Sequence, residues 1–181
     1  PGPDVAERAV PRPRAAWAGV GVHSGVGAEL RTLGLTGAGA GLSFGSGEYG
    51  RVGHGDEEHQ QTPKVIEARR DERVVAVAAG DAHSLVLTEA GAVLSFGFSG
   101  NGQLGHGDDE DQLTPKVIEA LRDERVVAVA AGDSHSLVLT EAGAVPSSGF
   151  SGDGPFGQRL AAHPLTPLLV CAPRGGARTV C

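Results

Sequence analysis

The apolar positions of this chain alternate over short runs, stop at glycines, and return at a fixed distance. "RVVAVAA" at residues 73–79 carries Val74, Ala76 and Ala78 on one face and Val75, Val77 and Ala79 on the other, because neighbouring side chains of a strand point to opposite sides. A strand apolar on both faces is expected to be covered on both. "HSLVLT" at 83–88 follows as a further strand, and "AVLSFG" at 92–97 returns from it through Glu89, Ala90 and Gly91. A three-residue connection ending in glycine marks a hairpin whose third residue is left-handed. "KVIEA" at 64–68, read as the opening strand, completes four per unit. No run carries the 3.6-residue periodicity of a helix.

The unit repeats. "TPKVIEARRDERVVAVAAGD" from Thr62 recurs from Thr114, a shift of 52 residues, with one difference, Arg69 for Leu121. "HSLVLTEAGAVLSFG" from His83 recurs as "HSLVLTEAGAVPSSG" from His135, and "LGLTGAGAGLSFG" from Leu33 falls into the same register. So does "LTP" at Leu165 under "LTP" at Leu113. Four antiparallel strands per unit with glycine-rich links is the sequence form of a propeller blade. The expected fold is all-β, a partial β-propeller of four-stranded antiparallel blades with a 52-residue period. Residues 33–150 hold the repeats, 1–32 form a poorly defined N-terminal segment, and 151–181 form a degenerate partial repeat and tail.

The repeat resembles that of the regulator of chromosome condensation family. The resemblance rests on Gly80, the pair His83 and Ser84, Leu85, Leu87, Thr88, the hairpin Gly91, the pair Phe96 and Gly97, the run Gly102, Gln103, Leu104, Gly105 and Gly107, and Pro115. It implies a propeller that closes with about seven such blades, more than this chain supplies. The chain departs from the pattern in three places. Arg31 and Thr32 stand where a His-Ser pair is expected. Pro146 and Ser148 replace the counterparts of Leu94 and Phe96, and "DGPFGQR" replaces "NGQLGHG". Proline has no N–H for a ladder, so the strand holding Pro146 is expected to be at best an edge.

Composition agrees with many short strands: 29 glycines and 11 prolines, but only 4% aromatic residues. The net charge of −7 offers no general attraction to nucleic acid or to an anionic membrane. A protein partner with a basic surface fits better. Cys171 and Cys181 make no metal-ligand spacing. No apolar run approaches the roughly 20 residues that cross a bilayer, and the start lacks a secretory signal. An intracellular protein, cytoplasmic or nuclear, is expected. The chain has no methionine, so a fragment of a longer propeller is expected, self-associating through its open blade ends.

Two patterns invite a chemical reading. In "GDSHS" an acid, an imidazole and a hydroxyl fall within four positions, Asp133, His135 and Ser136, and Asp81, His83 and Ser84 repeat them. Adjacent strand residues face opposite ways, so neither serine receives its base from the histidine beside it. The pattern is read as structural, with histidine and serine tying the strand to backbone within the blade. Gly80, Gly91, Gly97, Gly102, Gly105, Gly132 and Gly143 are read as structural with them. "GNGQLG" at Gly100 and "GSGEYG" at Gly45 satisfy a dinucleotide fingerprint by composition only, since loop rather than helix follows the first. The loops "HGDEEHQ" and "HGDDEDQ" gather Asp56, Glu57, Glu58, Asp108, Asp109, Glu110 and Asp111. They lack the ligand order of a calcium loop and the donors of a zinc site. They are the candidate partner-binding residues. No catalytic residue, metal or cofactor is expected.

The resemblance thus implies a protein-interaction scaffold. Its alternative is guanine-nucleotide exchange on a Ran-type small GTPase. The family's ultraviolet photoreceptors use clustered tryptophans, and Trp17 is the only one here. A ubiquitin ligase requires an appended catalytic domain.

Overall fold

The computed structural model describes residues 22–28, 30–67, 72–150, 168–174 and 178–180. Trp17, Cys181, Arg69, "DGPFGQR" and the "LTP" at Leu165 lie outside them. Three antiparallel sheets follow one another. The first runs β1 (Val22–Ala28), β2 (Arg31–Thr36), β3 (Gly41–Gly45) and β4 (Gln60–Val65). The second repeats it as β5 (Val74–Ala79), β6 (His83–Thr88), β7 (Val93–Gly97) and β8 (Gln112–Val117). The third has β9 (Val126–Ala131), β10 (His135–Thr140) and β11 (Val145–Gly149), extended by β12 (Leu168–Arg174) and β13 (Arg178–Val180). Thus β1 and the start of β2 fall within residues 1–32, and β12 and β13 within 151–181.

The sequence divides into blades differently from the order read above. The strand near "KVIEA" begins earlier, at Gln60 or Gln112, and ends at Val65 or Val117. It closes its sheet instead of opening the next, because it pairs with the strand before it, Leu42 with Val65 and Leu94 with Val117. Each such strand contains a proline, which can donate nothing to a ladder and therefore sits at an outer edge. The isoleucine after it turns inward: Ile66 N–H bonds Gly41 O and Ile118 N–H bonds Val93 O, both at 2.9 Å.

Hairpins between second and third strands form as the spacing predicts. Gly39, Gly91 and Gly143 have φ of 84°, 87° and 81°, a region costly to a residue bearing a Cβ. Thr88 Oγ1 accepts the N–H of Ala92 across its loop, as Thr36 does from Ala40 and Thr140 from Ala144.

Two apolar clusters join the sheets. Leu33, Leu35 and Ile66 of the first sheet and its connection meet Val74, Val86, Leu94 and Phe96 of the second. Leu87, Val93, Ile118 and Leu121 meet Val126 and Val138 of the third. The second sheet is therefore covered on both faces, and every residue of β6 and β7 is buried. Each large apolar side chain so buried contributes about 1.5–3 kcal/mol.

The first strands do not meet the expectation of full cover. Val75 is 42% and Val127 48% exposed. The ladder skips each of them, passing from Val74 to Ala76 and from Val126 to Ala128, and the extra residue of such a bulge leaves the pleat. A second bulge overturns the edge expectation for Pro146. β11 lies inside its sheet between β10 and β12. Its ladder with β10 ends at Ser147, and its register with β12 shifts between Val145 and Pro146. The missing N–H falls where the pairing is already interrupted.

Candidate protein-interaction rim

The loops that leave the third strand of each sheet are held by the same clasp. In the first, the Ser43 hydroxyl donates to Val52 O at 2.6 Å and accepts from His54 Nε2 at 2.9 Å. In the second, Ser95 donates to Leu104 O at 2.8 Å and accepts from His106 Nε2 at 2.9 Å. Since each hydroxyl proton is spent on a carbonyl, each histidine must donate from Nε2. Burial is the main cause that lowers both histidines' pKa below the usual 6.5, with Lys64 or Lys116 adding to it and Asp56 or Asp108 opposing it. The first loop also crosses to the second sheet, where Gly55 N–H bonds Leu113 O at 2.9 Å.

These clasps present the acidic residues, which divide into two sets. Asp56 Oδ1 accepts from Glu58 N–H at 3.1 Å and Asp108 Oδ1 from Glu110 N–H at 3.3 Å, closing matching turns. Asp108 also lies 3.8 Å from Lys116, and Asp111 Oδ1 takes the N–H of Ser99 at 2.7 Å. Those three carboxylates shape the loops. Glu57, Glu58, Asp109 and Glu110 stand exposed. Among the described residues no three His, Cys, Asp or Glu side chains gather to hold a metal ion.

An aromatic feature escaped the sequence reading. Tyr49 packs on Phe98 across neighbouring sheets, ring centres 5.1 Å apart and tilted by 55°, with the Arg51 guanidinium 5.5 Å from the Tyr49 ring. Arg51 pairs in turn with Glu48 at 3.2 Å. Tyr49 is 43% exposed. It is also the only non-glycine with positive φ, 60°, among the described residues. The available signal was the departure of "SGEYGR" from "FSGNGQ" within an otherwise close repeat.

The histidine-serine pairs bind sheet to sheet, not strand to backbone within a blade as expected. His83 Nε2 lies 2.9 Å from Ser136 Oγ of the third sheet. Ser136 in turn donates to Gln103 O of the second sheet's loop at 2.7 Å. Ser84 makes the matching bond to Arg51 O at 2.7 Å. Alternation along the strand foretold opposite faces, but not what lay against them. At the other junction Arg31 replaces the histidine and donates to the carbonyls of Gly80, Asp81 and His83. Burial first, then Arg51, lowers the Arg31 pKa to about 9, against the opposing pull of Asp81.

His83 with Ser136 is no nucleophile and base. The serine proton points to a carbonyl, and both side chains are buried. Burial, with Arg31 and His135 adding to it, pushes His83 down to about 3, too weak a base for catalysis near neutrality. Gly80 and Gly132 each donate a backbone bond within these turns, from their N–H to the carbonyls of His83 and His135. Gly97, Gly102 and Gly105 all take positive φ in the strand end and loop. Among the described residues no helix is long and apolar enough to cross a membrane.

The profile described as the regulator of chromosome condensation (RCC1) repeat matches residues 39–87 and 90–139, more than half the chain, and a second profile of that description matches 74–103. The human E3 ubiquitin-protein ligase HERC2 is 44% identical over 77% of this chain, which spans 3% of that protein. The ultraviolet-B receptor UVR8 of Arabidopsis thaliana is 39% identical over 74% of this chain and 30% of its own length. Among solved structures, Prp20p of Saccharomyces cerevisiae, described with its binding to Gsp1p and histones, superposes with a TM-score of 0.73 at 22% identity, over 83% of this chain and 38% of that one.

Proposed function

Because the chain belongs to the regulator of chromosome condensation repeat family, we propose that it is a protein-interaction scaffold whose loop rim takes a partner with a basic surface. One observation carries the reading. Equivalent loops of neighbouring sheets, held by equivalent serine-histidine clasps, leave Glu57 and Glu58 exposed on one and Asp109 and Glu110 on the other. The exposed Tyr49 supplies an aromatic face nearby, a surface suited to guanidinium or ammonium groups. The net charge of −7 steers a basic partner toward the chain over several ångströms. No turnover is assigned, and the compartment is proposed to be intracellular.

The chain spans well under half the length of the relatives it matches, so the activity of the whole protein belongs to this proposal too. Titration calorimetry with an arginine- and lysine-rich peptide tests it. Binding should weaken as salt rises and vanish when Glu57, Glu58, Asp109 and Glu110 are all changed to Lys, with thermal stability retained. Binding that survives those changes would sink the rim assignment. Nucleotide release from a Ran-type GTPase should proceed at its intrinsic rate when the chain is added. Acceleration would favour exchange activity instead.

A further inference from the structure

Where the first two sheets meet at the rim, three apolar side chains keep contact with solvent. Tyr49 is 43% and Leu113 37% exposed, and Phe98 is half-buried. Close approaches fix their proximity. A Cβ on Gly50 would lie 2.5 Å from Leu113 Cα and 2.6 Å from its Cδ2, so the leucine rests on the residue next to Tyr49. Phe98 meets the Tyr49 ring, 5.1 Å between centres. Acidic residues border the patch in the same way. A Cβ on Gly47 would lie 2.0 Å from Glu58 O and 2.8 Å from the Glu57 carbonyl carbon, which brings that loop against the short turn carrying Glu48 and Tyr49. All three glutamates are exposed. The aromatic residues are particular to this seam: Tyr49 and Phe98 stand at repeat positions that hold Asn101 and Ser46 in the other copy. Tyr49 even takes φ of 60°, a conformation unfavourable to a bulky side chain.

Aromatic and aliphatic carbon bordered by carboxylates suits a cation with an apolar stem. The shape selects which cation. Two rings in direct contact leave no gap for an ammonium to enter, as an aromatic cage would. A planar guanidinium instead lies flat on exposed rings while its edge bonds carboxylate oxygens. The inner side of the same ring already shows this chemistry, with the Arg51 guanidinium 5.5 Å from the Tyr49 centre and paired with Glu48 Oε2. Arg51 is buried, so the solvent side of the patch carries the charges of Glu48, Glu57 and Glu58. Resting on the rim reading above, we propose that this seam is an arginine seat. One arginine of the basic partner lays its stem over Leu113 and Phe98 and its guanidinium on the exposed part of Tyr49, where the bordering glutamates meet it.

Calorimetric titration of the full chain with an Arg-Gly repeat peptide, and with a Lys-Gly peptide of equal length and charge, tests this. The arginine peptide should bind about fivefold more tightly. A lysine peptide with one central arginine should recover that preference, because there is one seat. Tyr49→Asn and Phe98→Ser each install what the other repeat holds at that position. Either should bring the arginine peptide down to the lysine value and leave the lysine peptide unchanged, with thermal melts verifying the fold. Tyr49→Gly, which suits the positive φ, gives the same readout if Tyr49→Asn fails to fold. An arginine preference that survives in the folded variants overturns the proposal, as does a wild type that binds both peptides equally. If lysine at Glu57, Glu58, Asp109 and Glu110 then still abolishes binding of both, the rim reading stands without the seat. A wild type that binds neither peptide overturns both.

Discussion

The two junctions between sheets occupy equivalent positions and use different chemistry. Half of each is constant: a serine of the following sheet, Ser84 or Ser136, donates to a loop carbonyl of the preceding one. The other half changes. At the first junction Arg31 spreads a buried charge over three carbonyls. At the second, neutral His83 gives one N–H to a hydroxyl. Both turns, "GDAHS" and "GDSHS", carry carbonyls and serine; Arg31 takes the carbonyls of the first and His83 takes Ser136 of the second. A cation needs many acceptors to offset its lost hydration, but a neutral ring needs only one.

The largest effect should come from filling the close approach at the second junction. Beside Gly80 lie the carbonyl of Gly132 and the His83 ring, so Gly80→Val must push the sheets apart. It should cost about 3 kcal/mol in denaturant melts. Gly132→Val, whose nearest neighbours are atoms of the His135 ring, should cost about 1 kcal/mol. Equal losses would mean that the two turns are equally confined.

Removing the charge comes next. Arg31→Met deprives the carbonyls of Gly80, Asp81 and His83 of their donors and should cost about 2 kcal/mol near neutral pH. A variant as stable as wild type would show that burying the guanidinium already offsets its hydrogen bonds.

The smallest effect at neutrality, and the clearest contrast between junctions, is acid sensitivity. His83 has a folded pKa of about 3 against 6.5 in the unfolded chain. The unfolded state therefore takes up the proton first. The contribution of the neutral ring is intact above pH 6.5 and falls by about 1.4 kcal/mol per pH unit as pH drops toward 3. Arg31 holds its proton in both states below about pH 9 and adds no slope there. His83→Gln should cost about 1 kcal/mol at pH 7.5 and flatten the stability profile between pH 6 and 4. An unchanged slope would assign the acid sensitivity to other groups.

The period, the strands and the hairpins were legible because they are local. Alternation sets faces, and a glycine at the third hairpin position announces its own φ. The frame of the blade was less so, since "QLTPKV" pairs backward or forward equally well until its neighbour is known, and only the proline hinted at an edge. Pro146 misled for the same reason: the rule about donors is sound, but a bulge at that residue is set by the pairing of β12. The junctions were hidden further. His83 and Ser136 lie 53 positions apart in the chain, and nothing in either copy says that one copy's ring reaches the other's hydroxyl. Of the rim, the acidic loops could be read directly. Tyr49 could be found only as a departure from the repeat.

Pro63 in β4 and Pro115 in β8 lie on the outer edges of their sheets. An unpaired edge normally displays a row of N–H and C=O groups on which a stray strand can nucleate, and from there a fibril can grow. Each proline deletes one donor from that row, and exposed Lys64 and Lys116 set a positive charge beside it. The outer edges of the first two sheets are thus inhospitable to amyloid-like extension.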